Sequence, residues 1–401
     1  MKMAAASATL LLTLGAHADV RYTITDLGSF GNFSATAKGI SSNGLIVGAA
    51  NQTSGYDFAV RLTPGGQPQV ITGEGASGAF ASAVNSSGVV VGLTDSLSLN
   101  GFVLDSTGLH PLSNLGGFGG MGCDINDAGL IVGQAYDEGQ FGHAVTWRLQ
   151  NGAYTMTPLP ELGGFSSVAR AVNAQGVIAG AADLPSSFGV ACIWTTQGAQ
   201  PLDVHTSSFA EAMGINDANQ VVGYSYTETG TVAFLWSEDT GEINLGGLGN
   251  AHSIARAINN RGEVVGQSYI AGTSATQHGF IWKNGAMTDL NTLIVPGSGW
   301  LLWDATDIND DGLIVGGGIL NGHAHAFLLT PVACPADMGS AGGVAGADGV
   351  LDNNDFIAFI NRFFAGDAAA DMGVAGGFAG TDGVLDNNDF IVFIGRFFGG
   401  C

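Results

Sequence analysis
Apolar and polar positions recur in one pattern: an apolar residue, a polar turn, then an unbroken apolar run closed by glycine. Seven segments carry it: GISSNGLIVG (39–48), AVNSSGVVVG (83–92), DINDAGLIVG (124–133), AVNAQGVIAG (171–180), GINDANQVVG (214–223), AINNRGEVVG (257–266) and DINDDGLIVG (307–316). Their closing glycines lie 44, 41, 47, 43, 43 and 50 residues apart, a period that marks a repeat architecture. The turn residue is Gly44, Gly88, Gly129, Gly176, Gly262 or Gly312, and once Asn219. Asn is the residue that best replaces Gly at positive φ, so the turn is left-handed and the unit is a β-hairpin. The runs after the turn do not alternate, which predicts strands buried on both faces.

A third strand follows in each unit: FAVRL (58–62), GFVL (101–104), HAVTW (143–147), ACIW (191–194), VAFLW (232–236), HGFIW (278–282) and HAFLL (325–329). A weaker fourth ends in a DLG-like corner, as in MTDL (287–290) and INLGGLG (243–249). Four short strands in roughly 43 residues is the spacing of a propeller blade, whose stacked faces require apolar middle strands. The seventh unit stops after its third strand, while YTITDLG (Tyr22–Gly28) precedes the first unit and matches the fourth-strand pattern. The prediction is an all-β, seven-bladed β-propeller of four-stranded blades over residues 19–331, closed by the N-terminal strand. Trp147, Trp194, Trp236 and Trp282 sit at strand ends as blade-to-blade packing.

After residue 331 a second repeat begins. Residues 336–364 and 370–398 are near-copies offset by 34 positions, and both contain DGVLDNNDF. The second half of an EF-hand-like calcium loop is visible in each. Asp348, the Val350 carbonyl, Asp352 and Asp355 fall at ligand positions, with Asp382, Val384, Asp386 and Asp389 as their copies. The first half departs from that template, and a Gly-rich insertion would loop out so that Asp337 and its twin Asp371 return as ligands. Hard oxygen donors without His or Cys favour calcium, at two sites. Asp355 and Asp389 also suit helix N-caps, because the Phe and Ile residues after them fall at helical spacing.

Composition narrows the setting. The chain has 11 Lys plus Arg against 34 Asp plus Glu, a net charge of −23 that disfavours nucleic acid and anionic membrane partners. Residues 1–18 read as a secretory signal peptide: Lys2, an apolar run too short to span a bilayer, and Ala16-His17-Ala18. Export permits disulfides, and Cys334 with Cys401 bracket the tail (334–401), where a bridge would stabilise by roughly 4 kcal/mol. Cys123 and Cys192 are either a second pair or buried thiols.

Chemistry is sparse. Gly117-x-Gly119-x-x-Gly122 fits a dinucleotide fingerprint but opens no helix in a βαβ unit. His143, His278 and His325 occupy a slot that Phe58 and Val232 fill elsewhere, which marks packing rather than catalysis. The Asp307-x-Asn309-x-Asp311-Gly312 run resembles the start of a calcium loop but lacks its later carboxylates. Acidic residues fall about one per blade, with no evident acid–base pair.

Two resemblances follow from these motifs. The duplicated DGVLDNNDF loop-helix with flanking cysteines resembles a dockerin-type module. That implies two calcium sites and a cohesin-like partner, with Asn353, Asn354, Asn387 and Asn388 as contact positions usable in two orientations. The insertion after Asp337 departs from the common dockerin loop. The front part, with its HAF, IN-x-x-G-x-IVG and DLG-GLGG elements, resembles extracellular HAF-repeat proteins, a family without a defined activity. The expected function is a secreted, non-enzymatic propeller that binds or displays a ligand, with carbohydrate at the rim formed by LGGFGG, LGGFSS and LGGLGN. The tail would tether it to an extracellular or cell-surface partner. The alternatives are a glycan-active hydrolase or lyase targeted by the tail, and a purely structural surface or matrix protein.

Overall fold
The computed structural model describes residues 21–29, 34–51, 57–64, 68–71, 78–94, 100–206, 208–272, 276–332, 336, 338–340, 344–345, 353–374 and 377–399. Its contacts divide the chain into one unit of residues 22–331 and a second that includes residues 332–401. Among the described residues no helix is long and apolar enough to cross a membrane.

Residues 22–331 form seven four-stranded antiparallel sheets, the blades of a seven-bladed β-propeller. The first strands are Ala35–Ile40, Ala79–Val84, Gly116–Ile125, Ser167–Val172, Ala210–Ile215, Gly249–Ile258 and Trp300–Ile308, numbered here as blades one to seven. Each neighbours the first strands of the blades on either side, in an unbroken circle. Blades one to six use consecutive strands. In blade seven, Tyr22–Gly28 pairs with His323–Pro331 in the register Tyr22↔Pro331, Ile24↔Leu329, Asp26↔Phe327.

Two repeated residues fix the blade. The turn glycines, such as Gly129 at φ 74°, and Asn219 at φ 57° occupy the left-handed region. At the closing glycines the second strand crosses so near the first that a Cβ on Gly133 or Gly180 would collide with the carbonyl oxygen of Met121 or Val168. The apolar runs divide between two interfaces, as their lack of alternation requires. Ile131 packs with Val91, Val103 and Leu112 of blade two, while Val132 packs with Ala169 and Val172 of blade four. Both are fully buried, and such a side chain stabilises by about 1.5–3 kcal/mol. Trp147 and Trp194 are buried and donate through Nε1 to Ser113 and Pro160 carbonyls of the preceding blade's last segment.

In the second unit, helices α1 (Asn353–Ala365) and α2 (Asn387–Gly399) follow the two loops. The equivalent residues Phe359 and Phe393 stack at 4.0 Å and 6°, each fully buried, so the two copies meet about a near two-fold axis. Phe356, Phe390 and Phe397 complete this core. Most of the apolar stripe is thus core, while Ile357, Phe364 and Ile391 remain exposed.

Candidate functional site
Every first strand carries a β-bulge at one place. The register shifts between Ala37 and Gly39, Ala81 and Ala83, Gly122 and Asp124, Ala169 and Ala171, Ala212 and Gly214, Ala255 and Ala257, and Ala305 and Asp307. The residue skipped in each pairing is Lys38, Ser82, Cys123, Arg170, Met213, Arg256 or Thr306. A bulge leaves one residue outside the ladder and re-aims its side chain. The residue before each bulge residue is a buried Ala or Gly, while the bulge residues themselves keep solvent exposure at the inner edge of the ring.

Three of these seven are basic, in a chain with 11 Lys plus Arg. Arg170 bonds Glu211 of blade five (Nε–Oε1 2.6 Å), whose other oxygen accepts from Tyr224 at 2.8 Å. Arg256 is bidentate to Asp304 of blade seven, at 3.3 and 3.1 Å. Glu211 and Asp304 hold the same position, two residues before the bulge residue of the next blade. Cys123 lies beside Arg170, yet burial pushes its thiol up to about 11, which leaves no reactive thiolate at neutral pH.

One residue beyond the bulge, five blades carry Gly or Ala, and blades three and seven carry Asp124 and Asp307. Asp124 accepts from Ile125 and Val172 N–H, and Asp307 from Ile308 and Ile40 N–H, each reaching the following blade. Burial pushes both carboxyls up, Asp307 to about 7, and the charge of Asp124 raises Asp307 further. The two still fall singly, one on blade three and one on blade seven, with the charge of Asp124 reaching Asp307. The signal was present in the sequence, as the Asp that opens DINDAG and DINDDG where other units open with Gly or Ala.

The histidine slot carries hydrogen bonds as well as packing. His143, His278 and His325 each bond the acid of the DLG-like corner: Glu161 at 3.0 Å, Asp289 at 2.6 Å and Asp26 at 2.9 Å. HAF and DLG are thus two halves of one hydrogen-bonded pair. At His325 the Nε2 also meets Ser29 Oγ at 3.3 Å, giving the connectivity of a Ser-His-Asp triad. Ser29 is buried at 5% exposure and the Asp26 side chain is open at 40%. Acyl transfer needs the reverse, an open nucleophile and a buried orienting acid, so this set locks strands.

The run at Asp307–Gly312 forms the blade's turn, with Asn309 Oδ1 accepting from Asp311 and Leu313 N–H. Gly117, Gly119 and Gly122 lie within a strand. Cys123 and Cys192 are free thiols.

The two faces of the ring differ. One carries the tight polar turns. The other carries the Gly-rich corners and the hairpins between second and third strands. Phe118 (71% exposed), Phe141, Phe165, Phe188 (73%) and Tyr226 all lie on this second face, and they are the exposed Phe, Tyr and Trp residues among the described propeller residues. Phe141 of blade three stacks on Phe165 of blade four at 5.7 Å. Between blades five and six the same face opens into a cavity of about 280 Å³ lined by Thr231, His252, Ser253, Ile254, Gln267, Tyr269 and Gln277. His252 and Tyr269 meet edge-on at 5.8 Å. The Gln267 and Gln277 amides and the Tyr269 hydroxyl bond no described residue, leaving polar groups open to a ligand.

In the tail, Asp337, Asp348, Val350, Asp352, Cys334 and Cys401 lie outside the described residues. In the second copy the Asp371 carboxylate accepts from Asp382 N–H at 3.1 Å and Gly383 N–H at 2.6 Å. The insertion loops out as the small hairpin of Gly373–Val374 and Phe378–Ala379. Asp389 is fully buried and accepts from Met372, Gly373 and Asp386 N–H; its equivalent Asp355 accepts from Met338 N–H. Asp382 is exposed and accepts from Val384 N–H, and Asp386 accepts from Asn388. Asn353 and Asn387 are exposed, whereas Asn388 and Asn354 are half-buried, with Asn388 Oδ1 held by Gly377 N–H. Among the described residues no three His, Cys, Asp or Glu side chains gather around a point that would hold a metal.

No known family model matches the chain, and no curated protein matches it. Among solved structures, YCF48 bound to D1 peptide is 14% identical over 78% of this chain and 96% of its own, with a TM-score of 0.48. The β-propeller domain of the trilobed protease from Pyrococcus furiosus is 11% identical over 75% and 98%, at 0.47. A streptogramin B lyase is 11% identical over 79% and 100%, at 0.45. At these values the comparisons assign neither ligand nor activity.

Proposed function
We propose that the protein is a secreted, non-enzymatic propeller, its seventh blade completed by the N-terminal strand, that binds carbohydrate on the face bearing the Gly-rich corners. The observation that carries this reading is the cavity between blades five and six. Its lining of hydroxyls, amides and one tyrosine ring matches a sugar, which offers hydroxyls to polar groups and C–H faces to an aromatic ring. The exposed Phe118, Phe165 and Phe188 extend the same chemistry across neighbouring blades. Against acid–base catalysis, the oxygens of Asp124, Asp307, Glu211 and Asp304 are already engaged by backbone N–H groups, arginines or a tyrosine.

The tail, in the same reading, is a calcium-dependent tether of dockerin-like type for a cohesin-like or other extracellular partner. The residue types fit a hard cation: Asp371, Asp382, the Val384 carbonyl, Asp386 and Asp389 would supply oxygen ligands from one loop circuit, once their carboxylates turn from the backbone N–H groups they now accept from. Calcium there would supply charge neutralisation and so couple binding to folding of the loops. A polysaccharide array probed with the full chain tests the rim. Retention is expected on at least one neutral or acidic polysaccharide, reduced about tenfold or more by Tyr269→Ala with Gln267→Ala, the worth of one lost stacking or hydrogen-bonding contact. Retention unchanged in that variant places the ligand elsewhere.

A further inference from the structure
The face bearing the Gly-rich corners carries its charge as unevenly as its rings. Across blades three to six its corners and hairpins are 112–118, 135–143, 159–167, 182–190, 202–210, 225–232, 245–253 and 268–277, and these segments contain no Lys or Arg. They do contain Asp137, Glu138, Glu161, Asp183, Asp203 and Glu228. Glu138 and Glu228 are exposed and bond no described residue. The rings among these acids form one track. Phe118 N–H donates to Gln140 Oε1 at 3.1 Å, beside Phe141, and Phe141 stacks on Phe165 of blade four at 5.7 Å. In the blade-four hairpin Phe188 precedes Gly189, which lies so close to Phe209 of blade five that a Cβ would strike its ring. Phe209 meets Tyr226 at 5.5 Å. The hairpin of Tyr226 goes on through Glu228 to Thr231, which lines the cavity and donates its N–H to His252 Nδ1 at 3.2 Å.

We propose that this track, from the cavity to Phe118, docks a cationic glycan: a polymer of amino sugars whose rings lie on the aromatic faces and whose ammonium groups meet the carboxylates between them. The inference rests on the carbohydrate reading and narrows its ligand to one class. Adjoining exposed rings mark an interaction surface, and they serve neutral and charged sugars alike. Charge makes the choice. An acidic polymer would be repelled by a face without Lys or Arg on a chain of net −23, and a neutral one would leave Glu138 and Glu228 unused. Exposed ion pairs are individually weak, but a polymer engages several at once, so their contributions accumulate along the track. The track also gives the rings outside the cavity a use that a single bound sugar would not.

Calorimetry on the full chain tests this with three oligomers of equal length, made of glucosamine, N-acetylglucosamine or lysine, at a mildly acidic pH where amines and carboxylates are both charged. The glucosamine oligomer is expected to bind about tenfold tighter than its acetylated twin, an advantage that shrinks as salt is added. The lysine oligomer, which has the charge but no sugar ring to stack, should bind about tenfold weaker than glucosamine. Glu138→Gln with Glu228→Gln should remove most of the preference for the amine. Phe165→Ala with Phe188→Ala, at exposed positions outside the core, should weaken both sugars about tenfold. If the two sugars bind alike, or the preference survives the Gln pair, the inference falls and the carbohydrate reading stands. If lysine binds as tightly as glucosamine and the Ala pair changes nothing, the face is a general polycation surface and the inference falls. If no oligomer binds while the polysaccharide array retains the chain, it falls alone; if the array is also blank, both fall.

Discussion

Single residues at the inner ring behave unlike their counterparts one blade away. Asp307 sits where five blades have Gly or Ala, and burial together with Asp124 pushes its carboxyl up to about 7. In the unfolded chain an Asp titrates near 4, so between about pH 4 and 7 the folded form holds the extra proton. Its stabilising effect is therefore full at low pH and lost as pH rises through 7. His143, raised by Glu161 and Asp137 against the opposing effect of burial, acts in the same direction over the upper part of that range. Asp137, held low by the Phe141 N–H and His143, and Glu263, held low by Lys283 and Asn259 despite burial, act oppositely only below about pH 5. Urea unfolding should show stability falling by about 1–2 kcal/mol from pH 5 to 7.5, a figure reduced for water in the channel. Asp307→Asn should flatten that slope; an equal slope in variant and parent contradicts the assignment. The sequence displays Asp307 as an exception within its slot, but only the ring brings Asp124, 183 residues earlier, within reach of its charge.

At the level of the element, the turn between first and second strands is a joint as well as a hairpin loop. Its buried asparagine accepts from the N–H four residues on and donates to the carbonyl of its counterpart in the next blade. The links run Asn85 to Asn126, Asn126 to Asn173, Asn173 to Asn216, Asn216 to Asn259, Asn259 to Asn309 and Asn309 to Ser41. Ser41 is too short to continue, and Asn43 bridges to the Ser86 carbonyl in its place. Asn216→Ala would take the acceptor from the Gln220 and Ala218 N–H groups and leave the Asn259 carbonyl with Gly262 N–H alone, and is expected to cost roughly 1–3 kcal/mol. Asn219→Gly, which keeps the left-handed turn but loses the bond from Asn173 Nδ2 to Asn219 Oδ1, should cost less, about 1 kcal/mol. Equal effects from the two changes, measured by chemical denaturation, would refute the joint. The turn itself was readable from the Gly-to-Asn exchange at position 219. The reach of the asparagine was not, because its acceptor lies some 43 residues away on another sheet.

For the whole molecule, the propeller and the tail make separate demands. The propeller takes its stability from faces shared between blades, so no blade is expected to stand alone. The tail has a small core around Phe359 and Phe393 and depends on its loops. If calcium completes those loops, hydrogen exchange across 353–399 in the full chain should slow by about tenfold or more with calcium, consistent with binding linked to folding. Asp371→Asn together with Asp382→Asn should cancel the response of the second copy. Exchange in the tail that ignores both calcium and EGTA would remove the tether from the proposed function.

The number of blades, the hairpin turns, the doubly buried strands and the paired helices were all set by local pattern, since period, glycine placement and apolar runs act over a few residues. Tertiary structure alone decided that one residue per first strand escapes the ladder and points to the axis. It also paired three corner acids, Glu161, Asp289 and Asp26, with histidines. The physical reason is that charges and hydrogen-bond partners are matched across blades, between positions the chain separates by dozens to hundreds of residues. The ring brings those positions within a few ångströms, and no spacing in the sequence records it.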